Sequence, residues 1–191
     1  GLTGIAFATY YVNTFFLIVM VIIGNVVTCS MAAFAFARLN FSFRNVFFAA
    51  MLGTILLPYH VVLIPQYIIF NELNWINTYL PLIVPKFLAT DAFFIFLMVQ
   101  FIRGIPKELD QAAIMDGCNP LQVFARILFP LLQPALVTTA IFTFIWTYND
   151  FFSQLIYISN PEKFTIALGL RMFFDNQGES AWGAMFAMSV V

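Results

Sequence analysis

Charge is what this sequence lacks most. Lys, Arg, Asp and Glu together make up 9% of it, against about 25% in an ordinary soluble domain, and that shortage excludes a water-soluble fold. The eight basic and nine acidic residues leave a net charge of −1 and form no basic cluster, so no nucleic-acid partner is expected. Histidine occurs once and cysteine twice. His60 has no Cys, Asp or Glu at ligand spacing, so no metal site is expected. Cys29, in an apolar run, and Cys118, in a polar stretch, are too separated to pair. A GxxxxGK[ST] phosphate loop is missing too, so the chain should not bind ATP itself. Strict apolar–polar alternation is absent, which excludes a transmembrane barrel.

What is present is apolar: 62% of the residues, 25 of them Phe, with a mean hydropathy of +0.93. Four long apolar runs cover residues 13–37, 47–70, 82–102 and 127–148, and a fifth starts near Trp182. Each of the four is long enough to cross a bilayer, which takes about 20 residues per helix, and only helices pair all of their backbone groups within one span. The start is not a charged-then-apolar leader and the end falls inside an apolar run, so both ends are expected to be cut, by one span at the start and most of one at the end. Arg38 and Arg44 in ARLNFSFR, and Arg103, Lys107 and Arg126 further on, place these two loops in the cytoplasm, while NELNWINTY carries no basic residue. Trp75, Tyr79, Trp146, Tyr148 and Trp182 then fall near the outer ends of their spans, as an aromatic belt would.

Several residues inside or beside the runs are candidates for a translocation pathway. Pro58 and Pro65 should kink or interrupt the second run, and broken helices at membrane depth either line cavities or are buried in protein. His60 and Gln66 share that region. Asp91 lies in the third run, where an ionisable group is costly and often paired or functional; Lys86 is nearby, at a spacing of five that suits a straight helix poorly. Asn149 and Asp150 follow the fourth run and also fit a helix end and turn, which Asn and Asp favour. In the first run Gly24, Thr28 and Ala32 form a small-residue stripe, a face on which helix backbones approach closely.

Residues 105–134, IPKELDQAAIMDGCNPLQVFARILFPLLQP, are a polar, helix-patterned island between two apolar runs. Pro106 suits a first helical position, with Glu108 and Asp110 in the first turn at the positive end of the helix dipole. Gly117 can end that helix in the left-handed conformation, and Asn119 and Pro120 suit a fresh N-cap and first helical residue. The reading is helix, tight turn, helix, with Leu121, Phe124, Ala125 and Leu128 on one face of the second helix. Ala112 and Ala113 would let another surface come close.

Gln111-Ala112-Ala113, then Gly117, Ile127 and Phe129-Pro130, at this spacing resemble the EAA loop of ABC-importer permease subunits, most of all the maltose-type carbohydrate family with its ELEEAAxIDGA and FxxIxLPLxxPAL forms. NTFF, AFARLNF, LIPQYIIF, NTYLPLIVP and YNDFF resemble that family in the same order, over nearly the whole chain. Gln111 stands where the family usually has Glu, and Phe129 where it usually has Leu; Glu108 and Asp116 remain as nearby acids. The resemblance implies an all-α polytopic membrane bundle of the type I ABC-importer (MetI-like) permease fold over residues 1–191, with a cytoplasmic coupling loop at about 103–126. It implies a non-catalytic subunit of the bacterial or archaeal inner membrane, importing a sugar or a related solute such as a polyol phosphate. The coupling residues would be Glu108, Gln111, Ala112, Ala113, Asp116, Gly117, Ile127 and Pro130. Implied partners are a second permease subunit, an external substrate-binding protein that the segment 159–180 would contact, and a cytoplasmic ATPase dimer that uses ATP and Mg. Two other readings are an ion-coupled carrier and a membrane-embedded enzyme using Asp91, His60 or Asp116, for which the sequence offers no convergent cluster.

Overall fold

The computed structural model describes residues 7–170, the side chains of Phe7 and His60 excepted; the fifth run near Trp182 lies outside these residues. No strand occurs among them. The first run folds as α1 (Phe7–Arg38), 32 residues without proline and about 48 Å long at 1.5 Å per residue. It is the mast of the bundle and packs mainly against α5 (Ala92–Gly104) and α9 (Gln133–Asn149). Cys29, Ala33 and Phe34 of α1 meet Phe94, Met98, Val99 and Ile102 of α5 in the main apolar cluster. Both cysteines are free.

The second run is interrupted, as its prolines predict. It splits into α2 (Arg44–Ile55) and α3 (Tyr59–Glu72), because the residue before Pro58 is pushed away from helical geometry and Pro58 cannot supply the N–H that would continue the ladder. Pro65 is tolerated inside α3.

The third run is not the single helix that its hydropathy predicts. It comprises α4 (Leu80–Ile83), a 3-10 turn (Val84–Leu88) and then α5, with Ala89 in the left-handed region at φ 53 between them. The small-residue stripe of α1 receives this tighter segment: a Cβ on Gly24 would stand 2.9 Å from the Phe87 ring and 3.1 Å from the Lys86 backbone, and Thr28 Oγ1 donates to the Lys86 carbonyl at 2.9 Å. The stripe is thus a packing face within the chain.

The fourth run also breaks. Residues Pro120–Leu131, comprising α7 (Pro120–Val123), a π-helical turn (Phe124–Leu128) and α8 (Phe129–Leu131), meet α9 at a bend of 74°. Prolines at 130 and 134 remove two backbone donors around Leu132, so the long apolar helix of this run starts at Gln133 and not at Ile127. Among the described residues, Ala8–Arg38 and Leu80–Gly104 are long and apolar enough to cross a membrane, and the bent pair makes a third if it is counted as one span.

The two ends of the bundle are built differently. One gathers the start of α1, Tyr79 and residues 157–166: Asn13 Nδ2 donates to the carbonyls of Glu162 and Phe164, and Tyr79 Oη donates to that of Lys163. The other gathers the end of α1, the end of α5, and α6 (Glu108–Met115) with α7. Arg103 lies 5.3 Å over the Phe48 ring, fastening α2 to α5 at that same end.

Candidate functional site

The island folds as a compact helix–turn–helix at the second end. Its first helix, α6, begins at Glu108, two residues after the position predicted for it; Ile105 is extended, as a residue before proline prefers, and Pro106 and Lys107 turn the chain into the helix. Glu108 and Asp110 do stand in its first turn. The helix ends in a Schellman turn: Cys118 N–H donates to Ala113 O at 2.9 Å and Gly117 N–H to Ile114 O at 3.0 Å, with Gly117 at φ +88. Only glycine takes this conformation without strain, and no atom lies within 4 Å of where a Gly117 Cβ would be.

The next helix starts at once. Asn119 Oδ1 accepts from Gln122 N at 2.9 Å while Asn119 N–H donates to Gln122 Oε1 at 2.8 Å, a reciprocal capping box. Asn119 as cap and Pro120 as first helical residue agree with the sequence reading. The predicted second face does not. Val123 and Leu128 are buried, Phe124 and Ile127 half-buried, and Leu121 and Ala125 exposed, and the π turn Phe124–Leu128 departs from the helical spacing on which that face was read.

Of the residues assigned to the loop, Glu108, Gln111, Ala112, Asp116, Gly117 and Pro130 are exposed. Ala113 turns inward to the main apolar cluster and Ile127 packs against it, so close approach by an outside surface falls to Ala112 and Gly117. Met115 is 88% exposed, and Ile114 and Leu121 join it in an apolar rim beside the turn.

A second feature was not legible in the sequence. Arg38, the last residue of α1, has a side chain only 6% exposed; its Nε lies 2.5 Å from Asp110 Oδ2, and its Nη2 donates to the Ile105 carbonyl at 2.7 Å. In the sequence it counts only as one positive charge in a loop.

The candidate pathway residues do not converge on one place. Lys86 Nζ meets both oxygens of Asp91, at 3.0 and 2.9 Å; the 3-10 turn and left-handed Ala89 bring together two residues that a straight helix would hold apart. Asn149 Nδ2 donates to Ile145 O, and Asp150 Oδ1 accepts from Ser153 N–H, which is the helix end and turn that Asn and Asp favour. That turn touches the break in the second run, since Tyr59 and Ser153 share a hydrogen bond of 2.8 Å. Beside it the Tyr157 hydroxyl is buried, and burial, with Tyr59 and Asp150 nearby, pushes it up to about 12. Gln66 is half-buried on α3; His60 lies in the first turn of α3, its side chain outside the described set. Asn77, at φ 63, is a hub that the sequence does not announce: its side chain accepts from Ser159 and Asn160 N–H and its carbonyl from Lys163 Nζ. A lone Asn in a polar loop carries little signal. No group of three His, Cys, Asp or Glu among the described residues could hold a metal.

Residues 24–191 match the family model described as the binding-protein-dependent transport system inner membrane component. The chain is 29% identical over 185 residues to the trehalose/maltose transport system permease protein MalG of Thermococcus litoralis, covering 97% of this chain and 66% of that protein. It is 28% identical over 188 residues to the sn-glycerol-3-phosphate transport system permease protein UgpE of Escherichia coli O1:K1 / APEC, covering 98% and 66%. It superposes with a TM-score of 0.82 and 27% identity on a chain from the crystal structure of a bacterial ABC transporter involved in the import of the acidic polysaccharide alginate, covering 95% of this chain and 64% of that one. The chain spans between 60% and 66% of the length of the curated relatives it matches.

Proposed function

Because the chain belongs to the family of inner membrane components of binding-protein-dependent transport systems, we propose that it is the permease subunit of an ATP-driven importer, in which residues 103–126 face the cytoplasm and dock an ATPase. The carrying observation is the turn between α6 and α7: a Schellman cap and a capping box back to back, with open space over Gly117 and an apolar rim of Ile114, Met115 and Leu121 around it. An exposed surface of this rigidity, at one end of an apolar bundle, suits a partner that pushes and pulls on it. Glu108, Gln111 and Asp116 supply polar contacts around the rim, and Gln111 does so without a charge.

Closing of the ATPase dimer would displace α6 and α7, and the bundle of α1, α5 and α9 would carry that displacement to the opposite end. ATP and Mg belong to the ATPase, and this chain is the non-catalytic part. Several chain features fit the remaining partners. On α2 no residue is buried, and Val46, Phe47 and Leu56 stand exposed on it or at its end, a face for a second permease subunit within the bilayer. The far end, tied together by Asn77 and Lys163, suits contact with an external binding protein. The solute class is a sugar or sugar-related compound, by analogy with relatives named for trehalose/maltose and for glycerol phosphate. Tyr59, Ser153 and Asp150, with Gln66, Pro58, His60 and Pro65 close in sequence, are the residues through which this subunit would contact it.

The test is a cross-link followed by transport. Met115→Cys in a Cys29→Ser/Cys118→Ser background should cross-link to the ATPase subunit in isolated membranes. Proteoliposomes should then import solute only with the ATPase, ATP and the binding protein present. Uptake by the chain without nucleotide would establish an ion-coupled carrier instead.

A further inference from the structure

We infer that Arg38 is the pin that makes the docking loop and the transmembrane bundle move as one body, a positioning role that rests on the reading of residues 103–126 as the ATPase-docking element. Without a pin that element would be loosely held. It joins α5 through three residues, 105–107, and Ile105 is extended at ψ 130, a joint that could hinge. Its own grip on the bundle is thin, because Ala113 is the one buried residue of α6 and alanine offers little contact area.

Arg38 closes the joint from both sides. The guanidinium holds the Ile105 carbonyl, at the C-terminal end of α5, and the Asp110 carboxylate, in the first turn of α6, while its own backbone is the last residue of α1. One side chain therefore links three helices. Each charge also sits where the helix dipole favours it, the cation over the end of α5 and the anion at the start of α6. The pair is secluded, the two side chains being 6% and 13% exposed, so its attraction is screened far less than that of a surface pair. The width of the guanidinium lets Nε face the Asp110 carboxylate while Nη2 donates to the Ile105 carbonyl; the ammonium of lysine is a compact point charge without that span. Arg44 and Arg103 are engaged elsewhere, Arg44 on Leu39 O and Asn40 Oδ1 and Arg103 over Phe48. Lys86 with Asp91 is the other ion pair found among the described residues. When the ATPase displaces α6, the force reaches α1 and α5 through Arg38 instead of dissipating in the 105–107 joint.

The test separates positioning from folding in the reconstituted importer. Arg38→Met/Asp110→Leu removes both charges together, leaving none stranded. It should assemble, retain the Met115→Cys cross-link and hydrolyse ATP, yet import less solute per ATP by roughly fivefold or more, the lower end of ordinary site-to-site coupling. An unchanged ratio of solute to ATP would overturn the inference. Should that double variant not assemble, Arg38→Lys decides: it keeps the charge and loses the span, and should show the same drop in ratio with normal assembly, while a wild-type ratio overturns the pin. Absence of the Met115→Cys cross-link in the Cys29→Ser/Cys118→Ser chain with Arg38 and Asp110 intact would sink the docking assignment and not the pin.

Discussion

Gly117 separates two reasons for needing a glycine, because the structure assigns them different costs. Its φ of +88 makes any L side chain strained there, by about 1–2 kcal/mol for alanine and less for asparagine, which tolerates the left-handed region. Its Cβ would meet nothing within 4 Å, so no clash inside the chain adds to that. If only the turn mattered, function would follow backbone tolerance, with Gly117→Asn close to native and Gly117→Ala worse. If the open space is where the ATPase docks, function follows size. Gly117→Ala would then lose only what its strain costs, a factor of about 5–30 in the population of the ordered turn, whereas Gly117→Asn and Gly117→Asp would uncouple hydrolysis from uptake while insertion stays intact. Solute imported and ATP hydrolysed by the same proteoliposomes give the ratio that decides. A near-native ratio for Gly117→Asn beside an impaired Gly117→Ala would refute the docking argument, and so would normal transport by Gly117→Asp.

Four further outcomes are expected. Asn119→Ala removes the side-chain half of the capping box, the Oδ1 that accepts from Gln122 N–H, and keeps the backbone half; it should cost about 0.5–2 kcal/mol, seen as faster amide exchange at residues 121–123. Asp110→Ala alone strands a buried guanidinium and should lower the stability of the purified complex by about 3–5 kcal/mol, whereas Arg38→Met/Asp110→Leu should melt close to the native protein. Lys86→Met leaves Asp91 unpaired within an apolar run and should destabilise by about 2–3 kcal/mol; adding Asp91→Leu should recover most of that loss in the same thermal assay. Gly24→Ala pushes a methyl against the Lys86 backbone and the Phe87 ring and should cost about 1–3 kcal/mol, read as a lower melting temperature.

The turn at Gly117 was legible because its signals are local. Gly117, Asn119 and Pro120 each act on their own backbone, and those actions survive whatever the rest of the chain does. Hydropathy, in contrast, counts apolar residues without asking whether they continue one helix. It therefore joins α4 to α5 across the left-handed Ala89, and the π turn to α9 across a 74° bend. The proline rule finds the break at Pro58, and Pro85, Pro130 and Pro134 mark the other two by the same physics, against the pull of an unbroken apolar count. Arg38 with Asp110, and Asn77 with residues 159–163, were illegible for another reason. Their partners are tens of residues away in the chain, and a single sequence carries no sign of such pairings.

The back-to-back caps around Gly117 also bear on how readily the complex assembles. Fixing one residue's backbone costs about 1–2 kcal/mol of conformational entropy, and a loop that ordered itself only on contact would subtract that sum from the affinity for its partner. Residues 116–119 already have their N–H groups committed: Asp116 to Ala112 O, Gly117 to Ile114 O, Cys118 to Ala113 O and Asn119 to Gln122 Oε1. The ordering has been done during folding, so on the docking proposed for this loop an incoming subunit would meet a finished surface, and the loop would be released and regripped in every cycle without melting between strokes.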